Sequence, residues 1–126
     1  TATETFRNVL MGGHGVFQGM IKVAKGAQKT DAKMACNSLL LSDEGDFSAK
    51  PELEIFADDV QCGHGATAGE IDADHLFYLM SRGIPEATAR ALLVKAFLGE
   101  VVEELENEAI VEALEARIDA WLDANA

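Results

Sequence analysis

Residues 58–83 read DDVQCGHGATAGEIDADHLFYLMSRG, and the change of pattern inside this stretch decides the fold. Up to Gly69 the residues are small, with no apolar helical period. Beyond it His75, Leu76, Leu79 and Met80 recur at spacings of three and four, the period of one helix face. Asp72 stands where a helix needs an acceptor for its orphan N–H groups, and predicts an N-cap. Gly83 supplies the residue that most readily takes the left-handed conformation after a last turn. Pro85 then reads as the first position of a second helix, where its missing N–H does no harm. The chain is thus expected to divide near Gly69, with residues 1–70 built from strands and residues 71–126 from helices.

Toward the N-terminus the period is that of strands. Val16, Gln18, Met20 and Lys22 interleave with Phe17, Gly19, Ile21 and Val23, as on a strand with two distinct faces. Leu53 and Ile55 alternate with Glu52 and Glu54. The apolar run Leu39–Leu41 ends at Ser42-Asp43-Glu44-Gly45-Asp46, a turn cluster. Pro51 is placed at the start of the next strand, where a residue without an N–H is tolerated. Short strands joined by small turns suit a closed barrel, a sandwich or a parallel β-solenoid; no strict repeat chooses among them. Toward the C-terminus Ala89, Leu92, Leu93, Ala96, Phe97 and Val101 form one apolar stripe on a helix that could run to Leu105. A third helix, from Glu108 to about Leu122, is expected to turn Ile110, Val111, Leu114, Ile118 and Leu122 inward. Together these three helices read as a small cap covering strand edges.

The 126 residues carry a net charge of −12. Nucleic acid is therefore excluded as a partner, since phosphate binding needs a basic footprint, and so is an anionic membrane surface. The excess is densest in the C-terminal part, where 4 basic face 12 acidic residues, consistent with a solvated helix face or a dock for a basic partner. There is no signal peptide, transit peptide or long apolar run. Two cysteines in unrelated contexts predict free thiols in a reducing, cytoplasmic compartment.

Cys62 and His64 are the sharpest chemical pair. On an extended strand, positions i and i+2 share a face, roughly 7 Å apart. The flanking Gly63 and Gly65 leave room for a close approach. Thiolate and imidazole suit zinc, iron–sulfur clusters or copper, yet two ligands do not complete a tetrahedral site. Half a site, completed across an interface, fits that inventory. The structural alternative is that Cys62 packs as a small hydrophobe and His64 satisfies a backbone carbonyl. His14, in GGHG, reads as a turn residue, structural or exposed. His75 falls at the third position of its helix as a capping or surface residue, and Cys36, in MACNSLLL, as core. No phosphate-binding G-x-x-x-x-G-K-[ST] is present, and Gly65-Ala-Thr-Ala-Gly69 resembles only a flexible loop. With no G-x-S-x-G elbow either, no catalytic residue is assigned. A small standalone metal-binding or thiol enzyme centred on Cys62 and His64 is the rival reading.

Three long words, GVFQGMIKVAKGAQKTDAKM (15–34), KPELEIFADDV (50–60) and the opening stretch itself, closely resemble the SufB/SufD scaffold family of iron–sulfur cluster assembly. The resemblance runs from about Phe6 to about Leu105. It implies a right-handed parallel β-helix, of which residues 6–68 would be the last coils, followed by the helical cap. Family chains are much longer, and this one opens without methionine, so a C-terminal fragment is expected. The resemblance also implies a scaffold without its own catalytic site. In SufD-like members the histidine of C-x-H-G-A-T lies at the contact with SufB and is implicated in building the nascent cluster; CGHGAT carries that role to His64 and, more weakly, to Cys62. SufB-like members place an acidic residue two before that histidine, where Cys62 stands here, so the word favours the SufD branch. The isolated chain would hold no tightly bound cofactor, with iron or a nascent iron–sulfur cluster present only in the full complex. The helical block LFYLMSRGIPEATARALL (76–93) would dock the SufC ATPase. An unpaired terminal strand would favour a homodimer with His64 near the interface.

Overall fold

In the computed structural model, which describes residues 1–125, five strands precede three helices: β1 (Ala2–Leu10), β2 (Gly13–Val23), β3 (Asp31–Leu40), β4 (Gly45–Ile55), β5 (Gln61–Glu70), α1 (Ala73–Ser81), α2 (Glu86–Val102) and α3 (Glu108–Ala124). They form two compact units, Thr1–Gly69 and Glu70–Ala126. The protein is mainly β with a helical C-terminal part.

The strand unit contains two sheets, neither closed. One runs in the order β1-β3-β5, the other pairs β2 with β4. Both β1–β3 and β2–β4 are parallel, with Ala2 beside Ala32 and Gly13 beside Gly45. Parallel neighbours separated by about thirty residues require an intervening segment, and here each intervening segment contains a strand of the other sheet. The two-faced pattern has its expected consequence. On β3 Ala32, Met34, Cys36 and Ser38 are buried while Lys33 is exposed; on β2 Val16, Gln18 and Met20 are exposed. Phe6 and Phe17 stack at 4.8 Å between centroids, and the Met34 thioether lies against Gly19. The core of this unit is therefore the space between the facing sheets. Ser38, the one buried polar residue there, donates to the Asn8 side chain, which satisfies its hydroxyl.

Four local expectations change. The turn is shorter than Ser42–Asp46, because β4 already begins at Gly45, and Pro51 then falls mid-strand beside Gly19. β4 has a single partner strand among the described residues, and an edge strand tolerates a residue that cannot donate. The Gly65–Gly69 segment is likewise strand rather than loop. His14, read as a turn residue, is in β2, an exposed side chain paired with Asp46 of β4.

In the helical unit, Asp72 caps α1 as expected, accepting from the N–H groups of Asp74 (2.8 Å) and His75 (3.2 Å). Gly83, at φ +89°, ends it: its N–H bonds Met80 O and that of Ile84 bonds Leu79 O, the paired closure of a Schellman motif. Pro85 is the N-cap of α2 rather than its first residue, and α2 stops at Val102, short of Leu105. Its buried residues are Ala89, Val94 and Val102, while Leu92 and Ala96 of the expected stripe are exposed. α2 is apolar on nearly every side, so spacing alone does not select the face that neighbours cover. On α3 Val111, Ile118 and Leu122 are half-buried, but Ile110 and Leu114 are exposed. Asp119 ties α3 to Lys95 of α2 at 2.9 Å. That ion pair raises the Lys95 pKa, chiefly through the hydrogen bond that the Lys95 ammonium donates to the Asp119 carboxylate.

The Asp72 cap sets a pH dependence. The His75 and Asp74 N–H groups hold its carboxyl below the ordinary 3.8. A depressed folded pKa stabilises above the unfolded value and loses that stabilisation as pH falls through the folded value. Far-UV circular dichroism is therefore expected to show α1 fraying only below about pH 4, and Asp72→Ala is expected to show the loss already at pH 7. An identical helical signal for the variant and the wild type at pH 7 would count against the cap.

Candidate functional site

β5 reads QCGHGATAGE. Glycine and alanine dominate it, so it is extended because β3 pairs with it rather than through its own strand propensity. It is the last strand of its sheet, and its outer edge has no partner strand among the described residues. Gln61 N–H donates to Thr30 O at 2.9 Å, and Asn37 Nδ2 donates to Thr67 Oγ1 at 2.7 Å across a separation of 30 residues. This offset equals that of β1 and β3, and it sets Cys62 beside Ala32 and His64 beside Met34. Both side chains thus extend the buried row of β3. Sheet β2-β4 has two strands where its counterpart has three, so the row runs out into solvent: Cys62 is half-buried and His64 exposed. Beyond the adjacent residues, no atom lies within 4 Å of where a Cβ at Gly63 or Gly65 would stand. A shallow cavity of about 330 Å³ adjoins them, lined by His64 together with Glu4, Lys33 and Met34.

Cys62 and His64 are brought to one face as the spacing implied, and Cys62 is a free thiol. Among the described residues no three His, Cys, Asp or Glu side chains gather closely enough to hold a metal. The pair offers a thiol and an imidazole, two side chains of metal-ligating type, on an open strand. Cys36 is 1% exposed and free, and burial raises its thiol pKa; a thiol held protonated is a poor nucleophile. His75 occupies the third position of α1, with its N–H on Asp72. Met34 was not legible as a neighbour of His64, because their proximity follows from a thirty-residue pairing that no sequence repeat announces.

A family model described as SUF system FeS cluster assembly, SufBD core domain, matches residues 1–97. The chain belongs to the SufBD family. The match covers all five strands and continues into α2. Among similar proteins, Iron-sulfur cluster assembly protein SufD of Escherichia coli is 45% identical over 114 residues, 90% of this chain and 27% of the relative. The protein of the same name from Bacillus subtilis is 40% identical over 104 residues, 82% of this chain and 24% of the relative. Protein ABCI7, chloroplastic, of Arabidopsis thaliana is 43% identical over 98 residues, 78% of this chain and 21% of the relative. The chain thus spans about a quarter of the length of the SufD relatives. No helix of the described residues is long and apolar enough to cross a membrane.

Proposed function

We propose that this chain acts as a SufD-like scaffold component of iron–sulfur cluster assembly in the cytoplasm, pairing with SufB through residues 60–66 and docking the SufC ATPase through its helical unit. The observation that carries this reading is the SufBD core match over residues 1–97, with the CGHGAT word on a strand edge that has no partner strand among the described residues. An edge with free N–H and C=O groups is the natural place for a second chain to add a strand, and in the isolated chain a second copy would take that place as a homodimer. His64 would then present its imidazole at the joint, with Cys62 beside it, toward iron or a nascent cluster that is cargo rather than a resident cofactor. The two facing parallel sheets, offset by thirty residues in β1–β3, support a β-helix as the architecture, with the chain as its final coils. No catalytic residue is assigned; ATP hydrolysis would belong to SufC.

Docking of SufC is assigned to the helical unit because α1 leaves Phe77 73% and Tyr78 55% exposed, and large aromatics together with Arg82 have the composition of interface anchors. Removing residues 71–105 from the full-length protein is expected to abolish co-purification with SufC and to leave SufB pairing intact. Undiminished SufC retention after that deletion would overturn the assignment.

A further inference from the structure

Gly63, Gly65, Ala66, Ala68 and Gly69 give β5 little apolar surface with which to choose its register, and of its inward row only Cys62 is even half-buried. Glycine-rich strands are prone to slip, and a slip of one residue sends every side chain to the opposite face. His64 would then leave the row of Met34. Something other than hydrophobic burial must hold the register.

We infer that Gln28 and Lys29 are positioning residues for His64, clamping the entry of β5 in register; this rests on the reading of His64 given above. The turn they occupy is braced internally: Gln28 Nε2 donates to Lys25 O (3.2 Å), Thr30 Oγ1 to Ala27 O (2.8 Å) and Ala27 N–H to Ala24 O (3.0 Å). It then grips Asp59 from both sides. Asp59 N–H donates to Gln28 Oε1 (2.9 Å), while Asp59 O accepts from Lys29 N–H (2.6 Å). The Gln61 to Thr30 bond follows as the first rung of the ladder. Lys29 has φ +66° and is the only non-glycine residue with positive φ among the described residues. Such a conformation persists in a lysine only where its surroundings impose it. Here it directs the Lys29 N–H onto Asp59. The ion pair between the Lys29 and Asp59 side chains is well exposed, 82% and 63%, so it adds little; the Gln28 amide and the Lys29 backbone do the holding. Asn37 and Thr67 secure the far end of β5. Because Gly63 and Gly65 readily admit a bulge between the two fastenings, the entry clamp is needed to fix His64 itself.

The test compares Gln28→Ala, Lys29→Val and Lys29→Asn. Valine is β-branched and unsuited to positive φ, whereas asparagine tolerates it. In hydrogen exchange of the chain, Gln28→Ala and Lys29→Val are expected to speed exchange in residues 61–65 at least tenfold, with β3 unchanged. Interstrand nuclear Overhauser contacts should report loss of the Met34–His64 register. In the complex with SufB and SufC, cluster formation should fall at least threefold, and Lys29→Asn should restore all three readouts. Gln28→Ala, a side-chain change in an exposed turn, keeps the test decisive if Lys29→Val does not fold. Unchanged exchange in β5, or equal acceleration throughout residues 1–69, would overturn the inference. So would normal cluster formation by the clamp variants while His64→Ala abolishes it. A silent His64→Ala would instead overturn the functional reading of His64, leaving exchange and register to decide the clamp.

Discussion

His64→Ala is expected to lower cluster formation by the assembled complex at least tenfold while leaving the fold intact. The side chain is exposed on β5, and surface substitutions away from caps, cores and polar networks change stability by about 0.5 kcal/mol or less. A structural histidine would behave in the opposite way, with activity lost only in proportion to stability. Cys62→Ser separates the two donors. Its half-buried thiol becomes a hydroxyl, which carries a desolvation cost but preserves the shape of the strand, so cluster formation should fall less than for His64→Ala. Melting temperature and cluster yield measured on the same two complexes decide the matter. A normal yield from a His64→Ala complex assembled to the wild-type level would remove His64 from the site.

The largest stability effect is expected at Met34. It is 3% exposed, and truncation of a buried methionine to alanine costs about 2–5 kcal/mol, the cavity adding to the lost transfer free energy. The cavity has a defined filler. A Cβ added at Gly19 would stand 2.6 Å from the Met34 sulfur and 3.1 Å from its terminal methyl, so the two sites compete for one volume. Gly19→Ala alone should therefore destabilise by displacing the thioether, whereas in the Met34→Ala background the same change should cost less, because only the 3.0 Å approach to Phe17 Cε1 then remains. Denaturant unfolding of the four proteins in this cycle gives the coupling, expected to be at least about 1 kcal/mol for residues in direct contact. Additive effects would show that the facing sheets do not meet at Met34 and Gly19. Because Met34 also stands beside His64, its truncation should loosen the floor of the site as well as the core.

Within single elements the sequence was a good guide. The alternation along residues 16–23 identified the two faces of β2, the run MACNSLLL marked Cys36 as core, and Asp72 with Gly83 bracketed α1 because capping groups act on neighbouring residues. The same local signals missed at Pro51, which lies mid-strand in β4, where a single partner strand makes it tolerable, and at Pro85, which caps α2 rather than entering it. They also chose the wrong neighbours on α2 and α3, where Leu92, Ala96, Ile110 and Leu114 are exposed. α2, apolar on most sides, offers several equivalent stripes, and the one that is buried depends on what packs against it.

The sequence by itself determined the change from strand to helix near Gly69, the family to which the chain belongs and the placement of Cys62 and His64 on one strand face. Only the tertiary structure decided that Met34 is the neighbour of His64, that the buried row of β3 emerges into solvent at β5, and that the Gln28–Lys29 turn grips Asp59. The reason is one of range. Periodicity and capping are set by residues within about four positions of one another, whereas the site is set by pairings across thirty residues, whose partners are chosen by the register of whole strands.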